Sequence, residues 1–310
     1  MRPFLAPPGD PHANGWGLSG HQPARQRPNY HTHVLLFLMT VATTVVAGMI
    51  FEGLHPIEQI GQFHRGFPYA ATLLAILFAH EMGHYLTARY YGMDVTLPYF
   101  IPAPPPLFFL GTLGAFIRMR SPAQNRRVLL YIAAAGPIAG FCVALPAVIY
   151  AYATSSVAPL HVSDGGIYFG EPLLLQAVGR FMVGPVPPGS ALHINSVGVA
   201  AWFGLLITMF NLMPIGQFDG GHIVYAIVGR HARYVSRVAI GTLLLLGFVY
   251  FTGWFIWALL GWLTSFRHPV IIDQHLVLSS RSKVIAIIAL LIFVLCFMPE
   301  PISIGLPGAS

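Results

Sequence analysis

Long apolar segments dominate this sequence and constrain its fold more than any other feature. They cover, by residue number, 33–51, 68–90, 128–152, 197–228, 236–251, 253–266 and 283–298. Only 8% of the 310 residues are charged, whereas a soluble domain averages about 25%. Because a helix of about 20 apolar residues crosses a bilayer, the sequence predicts an all-α polytopic membrane protein with about six to seven transmembrane helices.

The basic residues predict how this protein is oriented in the membrane. Most of the 16 Lys and Arg flank the apolar segments, so the net charge of +6 is explained better by membrane-flanking charge than by nucleic-acid binding. They concentrate in the amino-terminal tail and in alternate connections, which predicts a cytoplasmic amino terminus. We expect the protein in a bacterial cytoplasmic membrane.

Segments 236–251 and 253–266 could form two helices or one long helix, since the second is short for a membrane span. A single helix would put Arg267, Arg281 and Lys283 on the outside. The charge pattern therefore favours a hairpin that turns at Thr252-Gly253.

The ends of the chain differ in composition from the middle. Residues 1–32 are rich in Pro and Gly and predict a disordered cytoplasmic tail. They show no pattern typical of a signal peptide. Residues 33–298 form the expected membrane domain, and 299–310 a carboxyl-terminal tail. Cys142 and Cys296 both lie in apolar segments, so a disulfide framework is not expected.

A metal-binding pattern, His80-Glu81-Met82-Gly83-His84, lies inside the second apolar segment. His80 and His84 are four residues apart, so both imidazoles face one side of a helix and can bind one zinc ion. Glu81 then lies beside the metal, where it can act as a general base. A membrane helix rarely carries such groups unless they are used.

The fourth apolar segment contains a second unusual stretch, from Asn211 to His222. Pro214 and Gly216 should break its helix, and Asp219 is a lone carboxylate suited to be the third zinc ligand. On the predicted topology His84 and His80 lie about 7 and 13 Å before the cytoplasmic end of their helix. Asp219 falls in the same half of the membrane. His222 is expected to have a packing or supporting role.

Residues 95–119 are apolar but contain five prolines, which no helix interior tolerates. We interpret this connection as a re-entrant loop with a short β-hairpin, whose exposed edge could take up an extended peptide. The substrate-binding residues expected on it are Gly111, Thr112, Leu113, Gly114, Ala115 and Phe116. The alternative is a cytoplasmic loop on the membrane surface.

Together these motifs resemble those of the site-2 protease family of intramembrane zinc metalloproteases. The resemblance covers residues 68–230, the expected catalytic core, and includes 111–117 and 135–140. It implies one zinc ion per chain on His80, His84 and Asp219, with Glu81 as the base. It also implies that Asn211 helps to hold the substrate backbone or the oxyanion. Phe218 stands where the family often has Leu, and no inserted peptide-binding domain is visible.

The resemblance implies regulated intramembrane proteolysis of membrane-tethered proteins, with a possible upstream protease of the site-1 type. The expected partners are a transmembrane protein substrate and the lipid bilayer, and not nucleic acid.

Two other functions stay open on the residues alone. One is a metal or proton transporter that uses the same intramembrane His, Glu and Asp. The other is a membrane scaffold without catalytic activity.

Overall fold

The computed structural model describes residues 30–106, 108–159, 166–265, 271–273 and 278–305. Within these ranges the protein is mostly helical. The helices are α1 (Tyr30–Phe51), α2 (Phe67–Tyr90), α3 (Arg126–Ala153), α4 (Leu173–Met182), α5 (Ser196–Asn211), α6 (Asp219–Val228), α7 (Ala232–Val249), α8 (Trp254–Thr264) and α9 (Ser280–Cys296). The strands are β1 (Tyr99–Pro102), β2 (Thr112–Phe116), β3 (Ala123–Asn125), β4 (Ser156–Pro159), β5 (Gly166–Phe169), β6 (Ser190–His193), β7 (Ile271–Asp273) and β8 (Ile302–Gly305).

Helices α2, α3 and α5 form the centre of the protein, and glycine lets them approach closely. A Cβ at Gly83 of α2 would lie 2.4 Å from the Ala135 carbonyl oxygen of α3. A Cβ at Gly204 of α5 would lie 2.6 Å from the Ile76 side chain of α2. Small residues at such contacts allow the close backbone packing that holds membrane helices together.

In the part of the chain that the structure describes, three helical stretches have the length and composition to cross a membrane: Tyr30–Phe51, Arg126–Ala153 and Asp219–Val249. In the last, a 3-10 turn at Gly229–His231 separates α6 from α7. The chain turns back there, since the Ser236 hydroxyl of α7 donates to the Pro214 carbonyl oxygen, which precedes α6, at 3.3 Å. The finer prediction of six to seven spans is not confirmed by these lengths and stays a prediction.

Segments 236–251 and 253–266 form two helices, as predicted. Helix α7 ends at Val249, α8 begins at Trp254, and the Phe255 amide donates to the Thr252 carbonyl oxygen at 3.1 Å. The Phe248 and Phe255 rings then meet with centroids 4.9 Å apart. The predicted hairpin with its turn at Thr252-Gly253 is confirmed.

The β-hairpin predicted in the proline-rich connection is also present, as antiparallel β1 and β2. Its tip packs between α1 and α2, where the Thr43 hydroxyl donates to the Gly111 carbonyl oxygen at 2.6 Å and the Tyr69 hydroxyl donates to that of Leu110 at 3.2 Å. Tyr69 precedes Glu81 by twelve residues, about 18 Å along α2. The hairpin therefore lies along α2 rather than across its end, which argues against the surface-loop alternative.

The expectation of a single β-hairpin in an otherwise all-α protein is wrong in detail. Three further two-stranded sheets pair β3 with β7, β4 with β6 and β5 with β8. Each joins segments that are distant in sequence. The pairing gives hydrogen-bond partners to backbone groups beside the packed helices that would otherwise lack them. No local pattern reveals such pairing.

Two ordered elements lie inside the predicted tails, and the division into domains itself stays a prediction. Helix α1 begins at Tyr30, so residues 30–32 belong to the helix and not to the tail. Residues 302–305 form β8, so the carboxyl-terminal segment is partly an ordered strand on β5. The rest of both predicted tails, 1–29 and 306–310, lies outside the described residues.

Candidate metal centre

Three side chains converge at one point between α2 and α6. Oδ2 of Asp219 lies 3.3 Å from Nε2 of His80 and 3.2 Å from Nε2 of His84, and the two imidazole nitrogens are 3.1 Å apart. Ligands about 2.0–2.1 Å from a tetrahedral Zn²⁺ ion are separated by roughly 3.3 Å. The three atoms therefore have the spacing and the chemistry of one zinc site with an open fourth position.

The ring of His84 is oriented by the neighbouring helix α3. Nδ1 of His84 lies 2.7 Å from the carbonyl oxygen of Ile132, and both groups are buried. A carbonyl only accepts, so this nitrogen carries the proton and Nε2 keeps its lone pair for a metal. The bond also holds the ring in one orientation.

Glycine on α3 makes room for both imidazoles. A Cβ at Gly136 would lie 2.1 Å from Nε2 of His84, and one at Gly140 would lie 3.3 Å from Cβ of His80. The first contact is impossible without movement of the metal-facing ring. The spacing of Gly136 and Gly140 thus opens one face of α3 to the site.

Asp219 reaches the site because the chain breaks between α5 and α6. Helix α5 ends at Asn211, Gly216 adopts a φ of 50°, and α6 begins at Asp219. Cβ atoms at Gly220 and Gly221 would meet carbonyl oxygens of this turn, at 2.0 Å from Leu212 and 2.5 Å from Gly216. The two glycines let the turn fold tightly against α6, and the predicted helix break is confirmed.

A cavity of about 250 Å³ adjoins the three ligand atoms, and Glu81 lines it. The Glu81 side chain is buried. Ile117, just after β2, lines the same cavity. Asn211 lies on the opposite helix, with Nδ2 3.3 Å from Nε2 of His80. The carboxylate and the amide thus both flank the candidate metal position.

The residues expected to bind substrate divide into two groups. Ala115 and Phe116 line the cavity. Gly111, Thr112, Leu113 and Gly114 are not among its lining residues and lie nearer the hairpin tip: Gly111 packs on α1, and the Thr112 hydroxyl donates to the Ile101 carbonyl oxygen at 2.8 Å.

Three cavity residues were not among the predicted site residues. Ile117 and Met119 continue the lining beyond β2, and Gln217 contributes from the α5–α6 turn. The first two lie in the predicted re-entrant connection 95–119, which gave no reason to select them. His222, one turn from Asp219 and expected to have a packing or supporting role, also lines the cavity.

The chain after β2 continues to pair with the segment before β1. The Arg118 carbonyl oxygen accepts from the Thr96 amide and the Arg120 amide donates to the Asp94 carbonyl oxygen, so the backbone groups of residues 118 and 120 point towards residues 94–96. By the two-residue alternation of a strand, we expect the backbone groups of Ala115 and Ile117 to point away from β1. Both residues line the cavity, so this orientation would put one edge of β2 at the cavity.

The fold and the site define a helical membrane protein with a three-ligand metal centre. Residues 68–252 match the sequence profile of Peptidase family M50, the site-2 protease family. This match covers more than half of the chain, and the chain belongs to that family. Family membership favours peptide hydrolysis over metal or proton transport.

Curated relatives are plant proteins named as probable zinc metalloproteases. EGY2, chloroplastic, of Oryza sativa subsp. indica is 34% identical over 176 residues, which are 56% of this chain and 32% of the relative. EGY2 of Arabidopsis thaliana is 29% identical over 214 residues, which are 69% of this chain and 37% of the relative. EGY1 of the same plant is 28% identical over 311 residues, which cover 89% of this chain and 55% of the relative. The chain thus spans about a third to about half of the curated relatives' length. Zinc, the metal in their names, suits the donor set described above.

Proposed function

We propose that this protein is an intramembrane zinc metalloprotease that hydrolyses peptide bonds within or near transmembrane segments of other proteins. The observation that carries the proposal is the meeting of His80, His84 and Asp219 beside the buried Glu81, between apolar helices. Metal-dependent hydrolases combine a metal site that has a coordination position for water with an adjacent carboxylate that can act as a base.

Each polar group of the site has a proposed role. His80, His84 and Asp219 hold the metal, which when bound supplies a Lewis acid that polarises the scissile carbonyl and activates water. The Glu81 carboxylate takes a proton from the attacking water and passes it to the nitrogen of the leaving amine. The Asn211 side-chain amide donates a hydrogen bond to the carbonyl oxygen as negative charge develops there.

The substrate needs an extended conformation at the bond to be cut, because a helix buries its backbone groups in internal hydrogen bonds. We propose that the cavity-facing edge of β2 pairs with this extended segment by strand addition. The amide and carbonyl of Ala115 supply that pairing, and Ile117 further along the same strand lines the same cavity as Glu81. Gly111 to Gly114 support the edge instead of contacting the reacting bond.

The placement in the membrane is part of the proposal. We propose six to seven spans, a cytoplasmic amino terminus, a bacterial cytoplasmic membrane, a catalytic core over residues 68–230 and a membrane-tethered substrate first trimmed by a site-1-type protease. The clustering of Arg and Lys in alternate connections supports the orientation. The chloroplast location in the relatives' names is said of those proteins alone.

The proposed base is tested with Glu81→Gln in the full-length protein, reconstituted with a labelled membrane-spanning substrate. We expect cleavage to fall by roughly 10²–10⁴-fold, the usual contribution of a general base, while zinc stays at one per chain. Cleavage at the wild-type rate by the zinc-loaded variant would overturn the role of Glu81.

The metal site is tested separately with His80→Ala, which should lose both zinc and cleavage. Uptake of Zn²⁺ into proteoliposomes by the wild type, abolished in this variant and not accompanied by proteolysis, would support the transporter instead.

A further inference from the structure

Helix α6 separates two cavities of opposite character. Asp219 and His222 face the polar cavity at the metal centre. On another side of α6 lies an apolar groove of about 280 Å³ between α6 and α9, here called the α6–α9 groove. Ile223, Val224 and Ile227 form one wall, and Ala286, Leu290 and Phe293 belong to the other. All the side chains that line the groove are apolar.

This groove opens to the surroundings of the protein at the level of the membrane helices. Ile227, Ile287 and Leu290, which line it, are 42%, 56% and 60% exposed. In a bilayer, such side chains contact lipid hydrocarbon. Lipid hydrocarbon is therefore available to occupy the α6–α9 groove.

Cationic side chains lie at one end of both walls. Lys283 precedes Ala286 and Ile287 by three and four residues on α9, so it belongs to the same helix face. Arg230 follows Ile227 by three residues at the end of α6. The Arg126 guanidinium donates to the Ile227 carbonyl oxygen at 2.6 Å. Neither wall carries an Asp or Glu, since none occurs in residues 220–237 or 280–296. Asp273 of β7 is paired with Asn125, the residue before Arg126, so this end has one acidic residue nearby against several basic ones.

The shape of the groove suits a hydrocarbon chain. From Gly220 to Ile227 its α6 wall is about 10 Å long at 1.5 Å per residue, and the volume of the groove is about 280 Å³. An acyl chain can lie along this wall with side chains of α6 and α9 on either side. A second protein chain seated on the groove is the competing occupant, and the experiment below distinguishes the two.

We propose that the α6–α9 groove binds one anionic phospholipid, with an acyl chain against α6 and α9 and the head group on Arg230 and Lys283. The bound chain packs against the helix that begins at Asp219 and against Leu212 and Pro214 of the preceding turn. It therefore covers the side of α6 that faces the groove. The lipid thus stabilises the helix that carries Asp219 from a side that does not face the metal cavity, and it does not enter that cavity.

The binding is tested by native mass spectrometry of the full-length protein, released from nanodiscs of phosphatidylglycerol and phosphatidylcholine at equal proportions. We expect one retained lipid per chain with a preference for phosphatidylglycerol. Because each basic residue near a membrane surface contributes about 1 kcal/mol, Arg230→Gln with Lys283→Gln should lower that preference by about thirtyfold. The matched control Arg237→Gln, which removes a basic residue outside the groove, should retain it.

A second pair of variants tests the groove itself. Ala286→Phe fills the groove and should remove retention of both lipids, whereas Val238→Phe, at a 70% exposed position on α7, should not. Equal retention of the two lipids by the wild type, or unchanged retention by Ala286→Phe, would overturn the proposal. So would a second protein chain retained in place of lipid and lost in Ala286→Phe. None of these outcomes depends on cleavage, so they do not bear on the proposed protease activity.

Discussion

The metal centre and the β2 edge line the same cavity, yet they are held in different ways. At the metal centre, α2 and α3 meet through glycine, glycines of α6 pack on the turn before it, and a carbonyl of α3 orients the His84 ring. The β2 edge has β1 on one side, and Ala115 lines the cavity.

The difference follows from what each region has to do. Three ligand atoms must stay within a few tenths of an ångström of a fixed geometry to bind zinc. A strand edge that receives peptides needs only its backbone groups in line, because backbone hydrogen bonds do not depend on the side chains of the partner. Close packing thus fixes the geometry of the metal centre. The β2 edge is instead defined by backbone groups that a peptide could pair with.

The largest effect is expected from Gly136→Ala, which tests whether packing defines the metal centre. The new Cβ would lie 2.1 Å from Nε2 of His84, so the ring cannot keep its position. Zinc content measured on the purified protein should fall to background, and cleavage with it. The matched control is Gly241→Ala on α7, where a Cβ has no neighbour within 4 Å. Full zinc content in Gly136→Ala would mean that the helices adjust more freely than the structure indicates.

The next effect concerns a polar group that flanks the metal without holding it. Asn211→Ala should lower kcat by roughly 10²–10³-fold, the usual loss for one oxyanion donor, while zinc content stays at one per chain. Asn195→Ala is the control, because the Asn195 side chain caps α5 at a distance from the site. It should cost about 1 kcal/mol of stability and leave kcat unchanged. An unchanged kcat in Asn211→Ala would remove this residue from the proposed mechanism.

The smallest effect is expected at the β2 edge. Ala115→Pro removes an amide that points away from β1, so the hairpin loses no internal hydrogen bond, whereas an incoming strand loses one. We expect KM to rise by about tenfold, the value of one hydrogen bond, with zinc content unchanged. Ala115→Ser keeps the amide and should behave as the wild type. Equal KM values for the two variants would show that the substrate does not pair with this edge.

Much of the site could be predicted because its residues lie in short local patterns. The i, i+4 spacing of His80 and His84 needs only the geometry of a helix. The break before Asp219 needs only the chemistry of Pro214 and Gly216. Charge alternation predicted the turn between α7 and α8, and the prolines of residues 95–119 predicted a non-helical hairpin there.

The contacts between distant segments were not predictable in this way. Nothing in the local sequence pairs β5 with β8, or brings the Ile132 carbonyl oxygen to His84. The α6–α9 groove likewise depends on how far two helices stand apart.

By itself, the sequence determined which residue types meet the metal, where the helices break and that the protein belongs in a membrane. These properties follow from the periodicity of a helix and the cost of polar groups in hydrocarbon, which act over a few neighbouring residues. Only the tertiary structure decided that Asp219 meets both histidines, that the Ile132 carbonyl oxygen orients His84, and that α6 has an apolar groove on another side. Those features depend on distances between helices, which are set by close packing of side chains across the whole protein.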